Sequence, residues 1–331
     1  MTPLLKVSNF SLDFHHFHKN VFAVRDVSFE IFPKQTIALV GESGCGKSVL
    51  VKGILKLFSS PSAKIKSGEI IYAGQNILNL CEKKLQKIRG KEIGIIFQDP
   101  MTSLNPTMKV GEQILESLLT HEKALSYHEA KKKALELINL VGIADPDLRY
   151  EQYPHELSGG MRQRIMIAIA LAPSPKLLIA DEPTTALDVT IQAQILSLLK
   201  SIQEKTGTSI LLITHDMSIV AGFCEKVMVM YAGKIIESAP VEELFSCSKH
   251  PYTQKLIQSL PRLDLDKERP LTPISGSPPD LGHILPGCSF APRCKKAMAI
   301  CVKKTPPLLE VGKDHQSACW RCDQRAPKED I

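Results

Sequence analysis

The chain has 331 residues, of which 44% are hydrophobic and 23% are charged. These proportions are typical of a soluble globular protein with a large core, and the length suggests about two domains. The formal charge of +6, from 41 basic and 35 acidic residues, fits a mixed-charge surface. No apolar run approaches the roughly 18 residues of a membrane helix, and the first residues lack a secretory signal pattern. We therefore do not expect a secreted, collagen-like, disordered or membrane-spanning protein.

The first hundred residues are rich in strand patterns. Short β-branched and aromatic runs predict strands over Val27–Phe32, Thr36–Val40, Glu69–Tyr72 and Glu92–Phe97. A helical block then interrupts them. Apolar residues at helical spacing from Val110 to Leu118 predict one helix, and a capping box opened by Ser126 predicts a second helix through Leu140.

Strand and helix patterns alternate again after residue 157. The sequence predicts helices over Gly160–Ala172 and Ile191–Glu204, and buried parallel strands over Leu177–Ala180 and Ile210–Thr214. A final hairpin is expected to turn at Ala232 and Gly233. The stretch from Arg262 to Gly287 is rich in proline and predicts an extended linker or an arm wrapped against the protein. The expected fold class is therefore α/β with a helical insertion.

The residues that follow the predicted strand Thr36–Val40 match the phosphate-loop pattern G-x-x-x-x-G-K-[ST]. They are Gly41, Glu42, Ser43, Gly44, Cys45, Gly46, Lys47 and Ser48. In such a loop backbone N–H groups close around phosphates, and the N-terminus of the following helix adds a positive dipole. We therefore expect Lys47 to reach the β- and γ-phosphates of a nucleotide and the Ser48 hydroxyl to bind Mg²⁺.

Polar residues end three of the predicted strands. Asp181 and Glu182 follow one strand, Gln98 follows another and His215 follows a third. Ligands of open parallel sheets bind beyond the carboxyl ends of the strands, so these side chains should lie near the phosphates. Asp181 is expected to bind Mg²⁺, and Glu182 to act as the base for an attacking water.

A second Gly-rich element precedes the strand of Asp181. Ser158, followed by Gly159 and Gly160, is expected to cap a helix whose N-terminus forms another anion site. Two phosphate-binding elements in one chain exceed the needs of one nucleotide. They make sense if two chains share their sites.

Taken together and in this order, these motifs resemble the ATP-binding subunit of an ABC transporter, over roughly residues 5 to 240. The resemblance implies a P-loop ABC ATPase core with an inserted helical subdomain at about residues 101–160, and ATP and Mg²⁺ as ligands. It also implies a head-to-tail dimer. ATP would lie between Gly41–Ser48 of one subunit and Ser158–Gly160 of the other.

The resemblance also implies residue roles. Ser48, Gln98 and Asp181 would surround Mg²⁺, Gln98 would sense the γ-phosphate, and Glu182 would be the base. His215 would bridge the γ-phosphate, and Asp188 would communicate across the dimer. The aromatic residue that stacks on adenine is expected to be Phe14, with Phe17 as the alternative.

Three further segments are similar to dipeptide, oligopeptide and nickel importers: residues 97–106, His250–Thr253 and the tail from Gly287 to Cys319. The similarity implies an ABC domain over residues 1–260 and a linker with a cysteine-containing extension over residues 261–331. It implies a second, related ATPase as heterodimer partner, two membrane permease subunits and an extracytoplasmic substrate-binding protein. No nucleic-acid partner is expected. The protein would be peripheral, on the cytoplasmic face of the inner membrane.

Five of the nine cysteines lie in the tail. The irregular spacing of Cys288, Cys294, Cys301 and Cys319 fits a zinc ribbon poorly, but it can hold a [4Fe–4S] cluster, to which the resemblance also points. Zinc and metal-free thiols stay as alternatives. Cys322 lies outside the four-cysteine pattern.

The expected function is ATP hydrolysis that powers peptide import. Nickel or another small solute is the alternative cargo, because the ATPase does not contact the cargo. A non-transport ABC protein of translation or DNA repair is the third hypothesis. Such proteins usually carry two cassettes or a long coiled-coil insert, and this chain shows one cassette and no heptad array.

Overall fold

The structure is a computed structural model that describes residues 2–15, 19–58, 60–185, 187–260 and 274–327. Apart from Met1, the chain divides into two compact units. The helical unit comprises Phe32–Gln35 and Asn79–Ile213, and the sheet unit comprises Thr2–Ile31, Thr36–Leu78 and Thr214–Ile331. Each unit is built from separate stretches of the chain, whereas the predicted domains divide the chain once, at residue 260. That division stays a prediction.

The described strands are β1 Leu5–His15, β2 Asn20–Ile31, β3 Thr36–Val40, β4 Ala63–Tyr72, β5 Gln75–Asn76, β6 Ile93–Ile96, β7 Leu177–Asp181, β8 Ser209–Thr214, β9 Lys226–Tyr231, β10 Lys234–Pro240, β11 Leu309–Gly312 and β12 His315–Ser317. The described α-helices are α1 Lys47–Ile54, α2 Glu82–Ile88, α3 Pro100–Ser103, α4 Val110–His121, α5 Tyr127–Leu140, α6 Pro146–Tyr150, α7 Gly159–Leu171, α8 Val189–Thr206, α9 Met217–Phe223, α10 Val241–Cys247, α11 Pro251–Gln258 and α12 Ala299–Lys303.

Two sets of paired strands build the sheet unit. One is antiparallel, in the order β2-β1-β4-β5. The other runs β11-β12-β10-β9-β3, with β3 and β9 parallel and the remaining pairs antiparallel. The β9–β10 hairpin turns at Ala232 and Gly233, whose φ angles of 48° and 78° are both left-handed. This is the backbone that a two-residue hairpin turn requires, and it confirms the predicted turn.

The helical unit contains three parallel strands in the order β8-β7-β6. Every residue of β7 and β8 is buried, as their continuous apolar sequences predict. Helix α5 begins with the predicted capping box, in which Ser126 and Glu129 each bond to the other's backbone N–H. Gly142, two residues after the end of this helix, has a left-handed φ of 74°, which is common where a helix ends.

The C-terminal extension packs within the sheet unit. Strand β12 pairs with β10, and the fully buried His315 Nε2 lies 2.9 Å from Oε1 of the buried Glu237. Phe290 packs edge-on against Tyr231 and Tyr252, with ring centroids 5.3 and 5.4 Å apart. The extension therefore shares the hydrophobic core of this unit.

The sequence did not predict β1 as a separate strand, nor the short elements β11, β12 and α12 of the extension. Residues 261–273 of the predicted linker lie outside the described residues, and residues 274–287 carry no helix or strand. Among the described helices, none combines the length and apolar character needed to cross a bilayer.

Candidate functional site

The predicted phosphate loop connects the fully buried strand β3 to helix α1 in the sheet unit. Lys47 opens the helix and is only 5% exposed. Its Nζ donates to the carbonyl oxygens of Gly41, at 2.8 Å, and Glu42, at 3.0 Å. The loop thus holds the ammonium group against its own backbone. Ser48 follows in the first turn of α1, half-buried, and Ser43 and Gly44 are exposed.

The backbone of neighbouring strands leaves no space beside Gly41 and Gly46. A Cβ on Gly41 would lie 2.3 Å from the carbonyl oxygen of Met230, and one on Gly46 would lie 2.2 Å from that of Ala23. Gly46 also has a φ of +109°, which L side chains rarely adopt. Cys45 is buried, burial raises the pKa of its thiol, and its carbonyl accepts from the Gly233 N–H at 2.9 Å. The loop is therefore clamped by strands β2 and β9 and by the β9–β10 hairpin.

Glu42 has partners that the sequence patterns did not indicate. Its carboxylate forms a two-pronged ion pair with Arg293 of the extension, at 2.7 and 3.0 Å. Its backbone N–H donates to the hydroxyl of Tyr252 at 3.0 Å. Hydrogen bonds to Glu42 raise the pKa of Arg293 above its ordinary value, so the guanidinium stays charged. Sequence spacing carries no signal for contacts between residues so far apart in the chain.

The two predicted carboxylates lie in the helical unit at the end of β7. Asp181 is 5% exposed and Glu182 is 9% exposed. Glu182 has a left-handed φ of 50°, and its N–H donates to the Ile213 carbonyl at 2.9 Å. A non-glycine residue in this region is strained, and such strain is concentrated at functional sites.

Glu182 and Gln98 meet, as their places after neighbouring parallel strands predict. The amide nitrogen Nε2 of Gln98 donates to Glu182 Oε2 at 2.8 Å. The Thr185 hydroxyl donates to the same oxygen at 2.9 Å. Two donors from different segments therefore fix the orientation of this carboxylate. Thr185 is a site residue that sequence reasoning missed, although it lies only three positions after Glu182.

Two of the remaining predicted residues cap helices of the helical unit. The Ser158 hydroxyl accepts from the Met161 N–H at 3.3 Å, and Ser158 and Gly159 are exposed at the start of α7. Asp188 accepts from the Ile191 N–H at 2.9 Å and caps α8. The capping interaction predicted for Ser158 is confirmed.

The other two predicted residues belong to the sheet unit. His215 is exposed directly after β8. Phe14, near the end of β1, is half-buried and packs edge-on against Phe58 with centroids 5.9 Å apart. Phe17, the alternative adenine-stacking residue, lies outside the described residues.

The four cysteines predicted to bind a cluster line one cavity of about 20 Å³: Cys288, Cys294, Cys301 and Cys319. Burial raises the pKa of Cys288 to about 11 and also raises that of Cys294. Cys322 is hydrogen-bonded to Cys319, which lowers the pKa of Cys322 to about 7.

The donor set fits a cluster in kind and number, but the cavity does not fit it in size. A volume of this order holds about one water molecule. Within the described ranges, no group of three or more His, Cys, Asp or Glu side chains is arranged to hold a metal ion.

Comparison with known proteins identifies the family. Residues 24–185 match the ABC transporter family, and residues 236–301 match the C-terminal region of oligopeptide/dipeptide transporters. The chain belongs to the ATP-binding subunits of the ABC transporter family. This confirms the predicted α/β ABC ATPase fold, and ATP with Mg²⁺ is the ligand pair of that family.

The similarity to individual relatives extends over nearly the whole chain. The chain is 52% identical to the oligopeptide transport ATP-binding protein OppD of Bacillus subtilis, over 99% of this chain and 91% of that protein. It is 51% identical to the dipeptide transport ATP-binding protein DppD of Lactococcus lactis, over 98% and 93%. A solved dimer of the ATP-binding cassette MJ0796 bound to ADP and Pi matches with a TM-score of 0.65, 28% identity, and coverage of 72% and 98%.

The substitution Gly46→Ala should weaken ATP binding about tenfold or more. The new Cβ would overlap the Ala23 carbonyl oxygen, and relieving an overlap of this kind costs roughly 1–3 kcal/mol. Titration calorimetry with MgATP measures the effect. Gly222→Ala is the matched control, because a Cβ there meets nothing within 4 Å and the residue lies in helix α9. Parent affinity in Gly46→Ala would show that the loop yields to the added methyl group.

Proposed function

We propose that this chain is the ATP-hydrolysing subunit of an ABC importer of dipeptides or oligopeptides. The observation that carries the proposal is the Gln98–Glu182 contact of 2.8 Å in a chain that also holds an intact phosphate loop. The similarity to OppD and DppD, which extends through the C-terminal extension, supports the peptide cargo. It also favours a transporter subunit over an ABC protein of translation or DNA repair.

Each predicted site residue has a role in this proposal. Lys47 and the N–H groups at the start of α1 would bind the phosphates. Ser48, Gln98 and Asp181 would hold Mg²⁺, which would offset the negative charge of the phosphates. Glu182 accepts the proton of the attacking water. Gln98 and Thr185 orient Glu182 by donating to its Oε2.

Two residues of the sheet unit complete the proposed ligand contacts. His215 would contact the γ-phosphate. Phe14 would stack on adenine after its ring separates from that of Phe58.

The exposed start of α7 suits a partner subunit. In its first turn, Ser158 and Gly159 are exposed and Gly160 is half-buried. A phosphate bound to another chain can therefore reach the N–H groups of this turn. We assign the partner to a related ATPase in a heterodimer, with Asp188 as a contact across it. Two permease subunits hold the pair at the cytoplasmic face of the membrane, and residues 101–160 face them. A substrate-binding protein outside the membrane delivers the cargo.

The substitution Glu182→Gln should reduce ATP hydrolysis by about 100-fold or more while ATP stays bound, because the amide cannot accept the proton of the water. Phosphate release and retained nucleotide are measured on the assembled transporter. Glu204→Gln, on an exposed position of α8, is the matched control. Hydrolysis by Glu182→Gln at the parent rate would remove Glu182 from the role of base.

Deleting the chain from its host should abolish uptake of labelled dipeptides or oligopeptides. The parent chain should restore uptake, and Lys47→Ala should not, because the ammonium group that binds the phosphates is lost. Ni²⁺ uptake is followed in the same cells. Normal peptide uptake together with lost Ni²⁺ uptake would replace the peptide cargo with nickel and leave the ATPase proposal standing.

We also keep an iron–sulfur cluster on the four cysteines as a proposal, supported by their convergence on one cavity. Because that cavity is small, the thiols must separate to accept a cluster. Anaerobically purified protein should then show broad absorbance near 400 nm and about four irons per chain, and Cys301→Ser should lose both. Zinc without this absorbance would favour the zinc alternative, and neither metal nor absorbance would leave free thiols.

A further inference from the structure

The phosphate loop is tied to a residue that the ATPase motifs do not include. Arg293 is 6% exposed and Glu42 is 21% exposed in side-chain terms. Nη1 donates to Glu42 Oε2 at 2.7 Å, and Nη2 donates to Oε1 at 3.0 Å. This parallel arrangement is the strong form of an arginine–carboxylate pair.

The Arg293 guanidinium is held by further contacts in the sheet unit. Its Nε donates to the Ser275 carbonyl at 2.9 Å, and Nη2 also donates to the Ile274 carbonyl at 3.2 Å. Nη1 lies 3.3 Å from the Tyr231 hydroxyl. All three guanidinium nitrogens therefore have acceptors, and the charge is held in one place beside the loop.

Glu42 brings a negative charge into a loop that must bind phosphates. Its carbonyl oxygen accepts a hydrogen bond from the Lys47 ammonium, so the carboxylate and the phosphate-binding cation belong to adjacent parts of one small structure. An unpaired carboxylate there would offset the attraction of Lys47 for phosphate. The ion pair removes that effect.

We propose that Arg293 sets the ATP affinity of the phosphate loop by neutralising Glu42. This inference rests on the proposed ATPase function and deepens it. Arg293 acts through Glu42, which makes it a positioning residue, and the folded state of the extension thereby controls nucleotide binding.

The test compares MgATP dissociation constants of the assembled transporter by titration calorimetry. Arg293→Gln, which keeps hydrogen-bond donors and loses the charge, should raise the dissociation constant about fivefold. Arg293→Lys, which keeps the positive charge, should have a dissociation constant within about twofold of the parent value. The double variant Glu42→Gln with Arg293→Gln should also bind within about twofold, since no charge is left to neutralise. A purely structural role would leave the double variant as weak as Arg293→Gln.

Arg325→Gln is the matched control, since Arg325 pairs with Asp323 within the extension. It should bind ATP as the parent does.

Two outcomes overturn the inference: parent affinity in Arg293→Gln, or a double variant as weak as Arg293→Gln. If Arg293→Gln fails to fold, the double variant and Arg293→Lys decide, and a loss of fivefold or more in either overturns it. A parent protein that binds no MgATP would instead refute the proposed function.

Discussion

Close packing against the phosphate loop is the constraint on which the sheet unit depends. The carbonyl oxygens of Met230 and Ala23 stand where side chains of Gly41 and Gly46 would be. Strands β2 and β9 therefore shape the loop as much as its own sequence does. The motif specifies glycine at positions 41 and 46 because the surrounding backbone leaves room for no side chain there. A loop held by such packing needs little reorganisation to bind phosphate.

The helical unit prepares its carboxylate in a different way. Glu182 takes a strained left-handed backbone conformation, and two neutral donors bind one of its oxygens. Strain of this kind persists only where surrounding contacts hold it, and β7 and β8 supply them through the buried pairing beside the residue. The strained backbone and the two donors therefore hold the Glu182 carboxylate in one orientation.

Local patterns predicted much of this architecture. Strand β3 has its predicted bounds, the Ser126 capping box and the Ala232–Gly233 turn are confirmed, and Gln98 meets Glu182 because parallel strands end at one edge. The Arg293–Glu42 pair could not be predicted, because 251 positions separate the partners and neither periodicity nor spacing extends so far. The short strands β11 and β12 were not predicted for a related reason. They have four and three residues, and the pairing of β12 with β10 and of β11 with β12 specifies them more than their own sequence does.

The distance along the chain between Glu42 and Arg293 has a consequence for synthesis. A ribosome makes the phosphate loop early and Arg293 late, so the loop leaves the exit tunnel with its carboxylate unbalanced. If Arg293 sets the affinity as proposed, a half-made chain holds ATP more weakly than the finished one. Full nucleotide affinity then waits for synthesis of the carboxyl-terminal extension.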